Sequence, residues 1–142
     1  MIMEMRGGPG RQAARLLLVE DEPVILELLG DILNDAGFDV VRETTGTGAV
    51  RAVHQHHPDL ITLDVSLPGM DGFAVIRQLR DSGLHIPVIF VSARDSEEDR
   101  ERASSLGAAD YISKPFGLEE LVRRVRAVLG RADSHARDEI IG

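Results

Sequence analysis

The sequence predicts an α/β domain, a doubly wound parallel sheet of five strands with helices on both faces. Three observations carry that reading. From Arg15 to Gly130 short apolar runs alternate with amphipathic stretches, the rhythm of repeated β-α units. Three of the strand candidates are almost purely apolar, as strands covered on both faces must be. Between them apolar residues recur at three- and four-residue steps, the period of a helix with one buried stripe.

Each element follows in turn. The strand candidates are Leu16–Val19, Asp39–Val41, Leu60–Leu63, Val88–Val91 and the brief Tyr111–Ile112. The first helix repeats Val24, Ile25, Leu28, Leu29, Ile32, Leu33 and Ala36, which predicts one continuous buried stripe. Pro23 suits its first turn and Gly37 its end. A second helix is expected from about Thr47 to His56. A third carries Phe73, Ile76 and Leu79 inward after a turn region at Gly69 and Gly72. The fourth, near Ser96–Leu106, is unusually polar; the fifth, near Leu118–Leu129, repeats Leu118, Leu121, Val122, Val125 and Leu129. Five β-α units make a flavodoxin-like sheet in the order 2-1-3-4-5 the economical arrangement. Residues 1–14 read as a flexible N-terminal arm, 15–130 as the domain, and 131–142 as a polar tail or the start of a linker.

Composition narrows the function classes. The chain has 142 residues, 43% hydrophobic and 28% charged, which suits one soluble globular domain with a real core. With no cysteine, disulfides and thiolate metal sites are excluded. No apolar run is long enough to cross a bilayer, and Gly7, Gly8, Pro9 and Gly10 interrupt any signal-peptide core, so a cytoplasmic location is expected. A net charge of −8 repels nucleic-acid phosphates, which argues against direct nucleic-acid contact by this segment.

In an open parallel sheet the ligand site lies outside the carboxyl ends of the strands, at the point where strand order reverses. The first strand ends in Glu20-Asp21-Glu22, the third in Asp64 and the fourth in Ser92, while the fifth is followed by Lys114-Pro115. Carboxylates crowded at one rim repel one another unless a cation neutralises them, and an oxygen-only donor set suits Mg²⁺. Carboxylate, Mg²⁺, hydroxyl and ammonium together are what phosphoryl transfer needs, with an Asp oxygen as nucleophile. A lone Asp after a strand is usually a turn or capping residue; convergence from four strand ends is what favours a site. This chemistry alone leaves Mg²⁺-dependent phosphatases open as an alternative.

LLLVEDEP, LITLDVSLPGMDGF, IPVIFVSA and GAADYISKPF, in that order, resemble the signature segments of response-regulator receiver domains, and the resemblance covers about residues 15–130. It implies that Glu20, Asp21, Asp64 and the backbone carbonyl of Ser66 hold Mg²⁺. It implies too that Asp64 accepts the phosphoryl group from a sensor histidine kinase. Ser92 then matches the switch hydroxyl, Lys114 the phosphoryl-pairing lysine, and Lys114-Pro115 a cis peptide. Tyr111 matches the switch aromatic, which turns inward when Ser92 moves toward the phosphoryl group; the plainer reading is a partly buried ring. Ser66 and Arg94 match rate-tuning positions at the mouth of the site, and Ala93 is small enough to leave a path to Asp64.

The last helix is most similar to receivers attached to winged-helix DNA-binding domains, which commonly pair through the fourth helix, fifth strand and fifth helix. This chain departs there: Glu101, Ser104 and Arg123 stand where apolar or small residues are usual, and Ala109 where an acid is usual. Loss of a dry patch removes the hydrophobic contribution to association, so a chain that does not dimerise by that face is the favoured expectation. A face re-paired through Glu101 and Arg123, or one used by a different partner, are the alternatives. His54, His56 and His57 read as a solvated helix end, and the charges from Glu97 to Arg102 as an exposed face. Set against a haloacid-dehalogenase-type phosphatase, Asp64-Val65-Ser66 lacks the second acid and follows the third strand, not the first. A phosphorylation-independent module is disfavoured by the complete set Glu20, Asp21, Asp64, Ser92 and Lys114. The expected function is a phosphoacceptor that switches an output partner, with transcriptional output favoured over a stand-alone receiver; it is not an enzyme in the ordinary sense.

Overall fold

The structure, a computed structural model, describes residues 13–141, with side chains as far as Arg131. Most of the expected arm, residues 1–12, lies outside the described residues. Five strands, β1 (Arg15–Val19), β2 (Asp39–Glu43), β3 (Leu60–Leu63), β4 (Val88–Ser92) and β5 (Asp110–Ser113), alternate with five helices. These are α1 (Pro23–Asp35), α2 (Gly46–His56), α3 (Gly72–Asp81), α4 (Glu97–Ser105) and α5 (Leu118–Ile141). The sheet is parallel throughout, in the order β2-β1-β3-β4-β5, as the alternating pattern predicts.

Strand alternation divides the core into two layers. Leu17 and Val19 of β1 join Ile61, Leu63 and Phe90 beneath α2, α3 and α4, while Leu16 and Leu18 join Leu60, Ile89 and Val91 beneath α1 and α5. On the first face Phe73, Phe90 and Tyr111 form an aromatic row, with ring centroids 5.3 and 5.9 Å apart in succession.

Two helices differ from the sequence reading. The α1 stripe is not continuous: Leu26, Leu29, Gly30 and Leu33 are buried, Ile25, Ile32 and Ala36 are half-buried, but Val24 is 81% and Leu28 50% exposed. A helix lying on a sheet beside α5 buries only an arc, and Val24 and Leu28 fall outside it. The second difference is α5, which continues past Leu129 and Gly130 to Ile141, through the residues read as tail or linker. No proline interrupts that stretch, and extending an existing helix needs no new nucleus.

The other helices carry local signals for where they begin. Thr45, Asp71 and Ser96 are the N-caps of α2, α3 and α4, each side chain accepting from a backbone N–H three residues on at 2.9, 2.9 and 3.0 Å. His57 ends α2 in the left-handed region at φ 50°, and His54 is exposed, as expected of a solvated helix end. Only Ala103 of α4 is buried. Arg102 lies over the Phe73 ring at 4.5 Å and Arg100 over the Tyr111 ring at 4.8 Å, so arginine stacking stands in for an apolar stripe.

Candidate functional site

The parallel register brings the strand ends together. Val19 pairs with Leu63, so Glu20 and Asp64 leave adjacent strands at the same level. The Asp64 N–H still donates to the Val19 carbonyl at 3.2 Å, and the Lys114 N–H to the Ser92 carbonyl at 2.9 Å. Each chemical residue thus sits on backbone that the sheet already holds.

Glu20, Asp21 and Asp64 each offer a carboxylate oxygen, and these three atoms lie within 4.8 Å of one another. Glu20 is 4% and Asp64 6% exposed, while Asp21 is open to solvent. Lys114 Nζ donates to Glu20 Oε1 at 2.7 Å and to Asp64 Oδ2 at 2.9 Å. The Ser66 N–H donates to Asp64 Oδ1 at 3.0 Å, so both Asp64 oxygens are engaged. Burial pushes the Glu20 carboxyl above its usual range, against the opposing pull of the Lys114 bond. Burial disfavours the Lys114 ammonium, yet its bonds to Glu20 and Asp64 outweigh that and hold it above the usual lysine value.

Three carboxylates against one ammonium leave two negative charges, the deficit that one divalent cation cancels. Ligands of Mg²⁺ stand about 2.1 Å from the ion, so opposite donors are about 4.2 Å apart; the triad is close to that span and contains only oxygen. The residues fit a hard divalent ion.

Ser92 is fully buried, and its Oγ accepts from the Arg94 N–H at 3.1 Å. Tyr111 is buried, with its hydroxyl donating to the Arg94 carbonyl, so its ring occupies the inward position. Burial, with the nearby Asp99 charge, raises the phenol above its ordinary value. The exposed Arg94 side chain reaches Asp99 at 2.8 Å, and Ala93 is exposed beside it. Lys114-Pro115 is cis.

The residues predicted for a partner face come from α4, the approach to β5, and α5. Glu101 and Ser104 are exposed on α4, and Ala109 is half-buried ahead of β5. Arg123 instead borders a groove between α1 and α5 lined also by Ile32, Leu118 and Val122. Two contributors to the rim were not singled out from the sequence. Arg100 covers the Tyr111 ring and bonds Ser113, which no motif signals. Gly72, read only as part of a turn, lies where any Cβ would run into the Asp64 backbone.

Comparison with known proteins then decides the family, because the response regulator receiver domain matches residues 16–126. The chain belongs to the response-regulator receiver family. This receiver is 42% identical over 131 residues to the phosphate regulon transcriptional regulatory protein PhoB of Escherichia coli, covering 91% of this chain and 57% of that protein. It is 39% identical over 127 residues to the probable transcriptional regulatory protein TcrX of Mycobacterium tuberculosis, covering 89% and 54%. Among solved structures, the signal receiver domain of a LuxO repressor protein from Vibrio parahaemolyticus superposes with a TM-score of 0.84 at 29% identity, covering 92% and 98%. The receiver spans about half the length of these curated relatives, which are transcriptional regulators. Among the described residues, no helix is long and apolar enough to cross a membrane.

Proposed function

We propose that Asp64 accepts a phosphoryl group from the phosphohistidine of a sensor histidine kinase, with Mg²⁺ held by Glu20, Asp21, Asp64 and the Ser66 carbonyl. One observation carries this reading: a single ammonium, Lys114 Nζ, bonds both Glu20 and Asp64 beside a triad of carboxylates close enough to share one ion. When bound, the ion offsets negative charge on the phosphoryl oxygens. An Asp64 oxygen attacks phosphorus in line with the donor's P–N bond; that bond breaks, and its electron pair returns to the imidazole nitrogen. Lys114, already bonded to Asp64, swings only a short way to pair with a phosphoryl oxygen. Ser92 exchanges its contact with the Arg94 N–H for the phosphoryl group. Tyr111, whose ring already lies inward with its hydroxyl on the Arg94 carbonyl, is held there once Ser92 engages the phosphoryl group.

The functional unit on this reading is residues 15–130, beyond which α5 runs on as helix to Ile141. On the same reading its location is cytoplasmic and its output is transcriptional, delivered through a DNA-binding partner domain; the relatives it resembles are transcriptional regulatory proteins. It catalyses only its own phosphorylation and dephosphorylation. Charged Glu101 and exposed Ser104 make a homodimer through α4, β5 and α5 the disfavoured arrangement. The test is incubation with Mg²⁺ and a small acyl phosphate, followed by intact mass. The wild type gains one phosphoryl group and Asp64→Ala gains none; equal gain in both, or none in the wild type, refutes the assignment.

A further inference from the structure

We propose that Gly72 is a positioning residue for Asp64: its missing side chain is the space in which the Asp64–Val65 peptide lies. The inference rests on the phosphoacceptor role given to Asp64 above. A Cβ built on Gly72 would stand 2.3 Å from the Asp64 carbonyl oxygen, 3.0 Å from Val65 Cα and 3.1 Å from the Asp64 carbonyl carbon. All three are backbone atoms, so no side-chain rotation relieves the contact. Gly72 is not among the glycines with positive φ, so backbone conformation does not demand glycine there; close approach does.

The consequence reaches the site through main-chain bonds. The Gly72 N–H donates to the Val65 carbonyl at 2.9 Å, and on the other side the Asp64 N–H donates to Val19 at 3.2 Å. The peptide bearing the nucleophile is therefore gripped between β1 and the first residue of α3. Glu20 does not share that grip, since its N–H bonds Glu43 of β2 at 3.1 Å. A side chain at position 72 pushes Asp64 and leaves Glu20 in place, so the carboxylates lose their mutual spacing. The Ser66 N–H bond to Asp64 Oδ1 moves with them.

Gly30 supplies a control. It too is a buried helical glycine without positive φ, but its Cβ would stand 2.0 Å from the Arg42 guanidinium, the far end of a flexible side chain. In the full chain, Gly72→Ala and Gly30→Ala are compared by initial rate with a small acyl phosphate, by Mg²⁺ half-saturation, and by the Ser66 amide resonance in metal-free protein. Misplacing a reacting group by about 1 Å costs up to about a hundredfold in rate, so Gly72→Ala is expected to be at least about tenfold slower. It should need more Mg²⁺ and show a displaced Ser66 amide, while Gly30→Ala stays within about threefold of wild type. Should Gly72→Ala not fold, Asp71→Ala loosens the first turn of α3 without adding an atom there. It is expected to slow the reaction a few-fold and shift the same resonance. Equal rates and an unmoved Ser66 amide in whichever variant folds overturn the proposal. A wild type that takes no phosphoryl group overturns the functional reading instead, while a displaced Ser66 amide would still uphold the geometry.

Discussion

Replacing Lys114 with methionine keeps most of the stem and removes the ammonium, together with its bonds of 2.7 and 2.9 Å to Glu20 and Asp64. Both carboxylates are more than nine-tenths buried and the lysine side chain is 20% exposed, so water replaces little of what is lost. Removing one partner of a buried pair costs about 3–5 kcal/mol, and partial exposure favours the lower end, about 3 kcal/mol in metal-free buffer. For a domain of this size that is roughly 10 °C in Tm. Magnesium should reverse part of the deficit. Lys114→Met leaves three carboxylates uncompensated, so the ion binds the variant more tightly, and each tenfold in affinity adds about 1.4 kcal/mol at saturation. Thermal melts in chelator and in saturating Mg²⁺ measure both quantities. The expected result is a metal-induced rise in Tm at least about 4 °C larger in the variant than in the wild type. Equal rises, or equal stability without metal, would show that Lys114 is a solvated bystander.

Three further outcomes are expected. Tyr111 is the only tyrosine and there is no tryptophan, so phenolate absorbance reports one group. It should titrate above pH 10 when folded and near 10 in urea, with stability intact below 10 and falling as pH rises toward the folded value; an ordinary folded titration rejects the burial argument. Arg80 donates to the carbonyls of Leu84, Ile86 and Gly107 at 3.0, 3.0 and 3.2 Å, so Arg80→Ala should cost about 2–3 kcal/mol, read as a lower urea midpoint at unchanged slope. Arg94→Ala, which opens the mouth of the site to water, should shorten the life of the aspartyl phosphate a few-fold; unchanged decay of labelled protein counts against a rate-tuning role.

The fold was legible because a parallel sheet covered on both faces leaves a plain mark. Leu60–Leu63 and Val88–Ser92 are wholly buried, and no other element type suits apolar runs so short. Periodicity was less faithful where burial depends on a neighbour. Val24 and Leu28 obey the helical period yet face solvent, because period gives the angle between residues and not the width of the arc that β2, β1 and α5 cover. In α4 the period is nearly absent, and the helix is held by guanidinium groups over rings from α3 and β5. Such contacts pair residues distant in sequence and leave no local pattern.

The site divides along the same line. Glu20, Asp21, Asp64, Ser92 and Lys114 could be found from the sequence because topology alone sends every strand end to one rim, whatever the side chains do. How those ends are spaced is a different kind of information. That the carboxylate oxygens lie within 4.8 Å of one another depends on where the Asp64–Val65 peptide comes to rest between Val19 and Gly72. A glycine that serves close approach looks, in sequence, like a glycine that serves a turn. Only the absence of positive φ at Gly72, against its presence at Gly69 three residues earlier, separates the two roles. Residue types thus declare the chemistry available at the rim, while the precision that makes it usable is held by an atom that is not there.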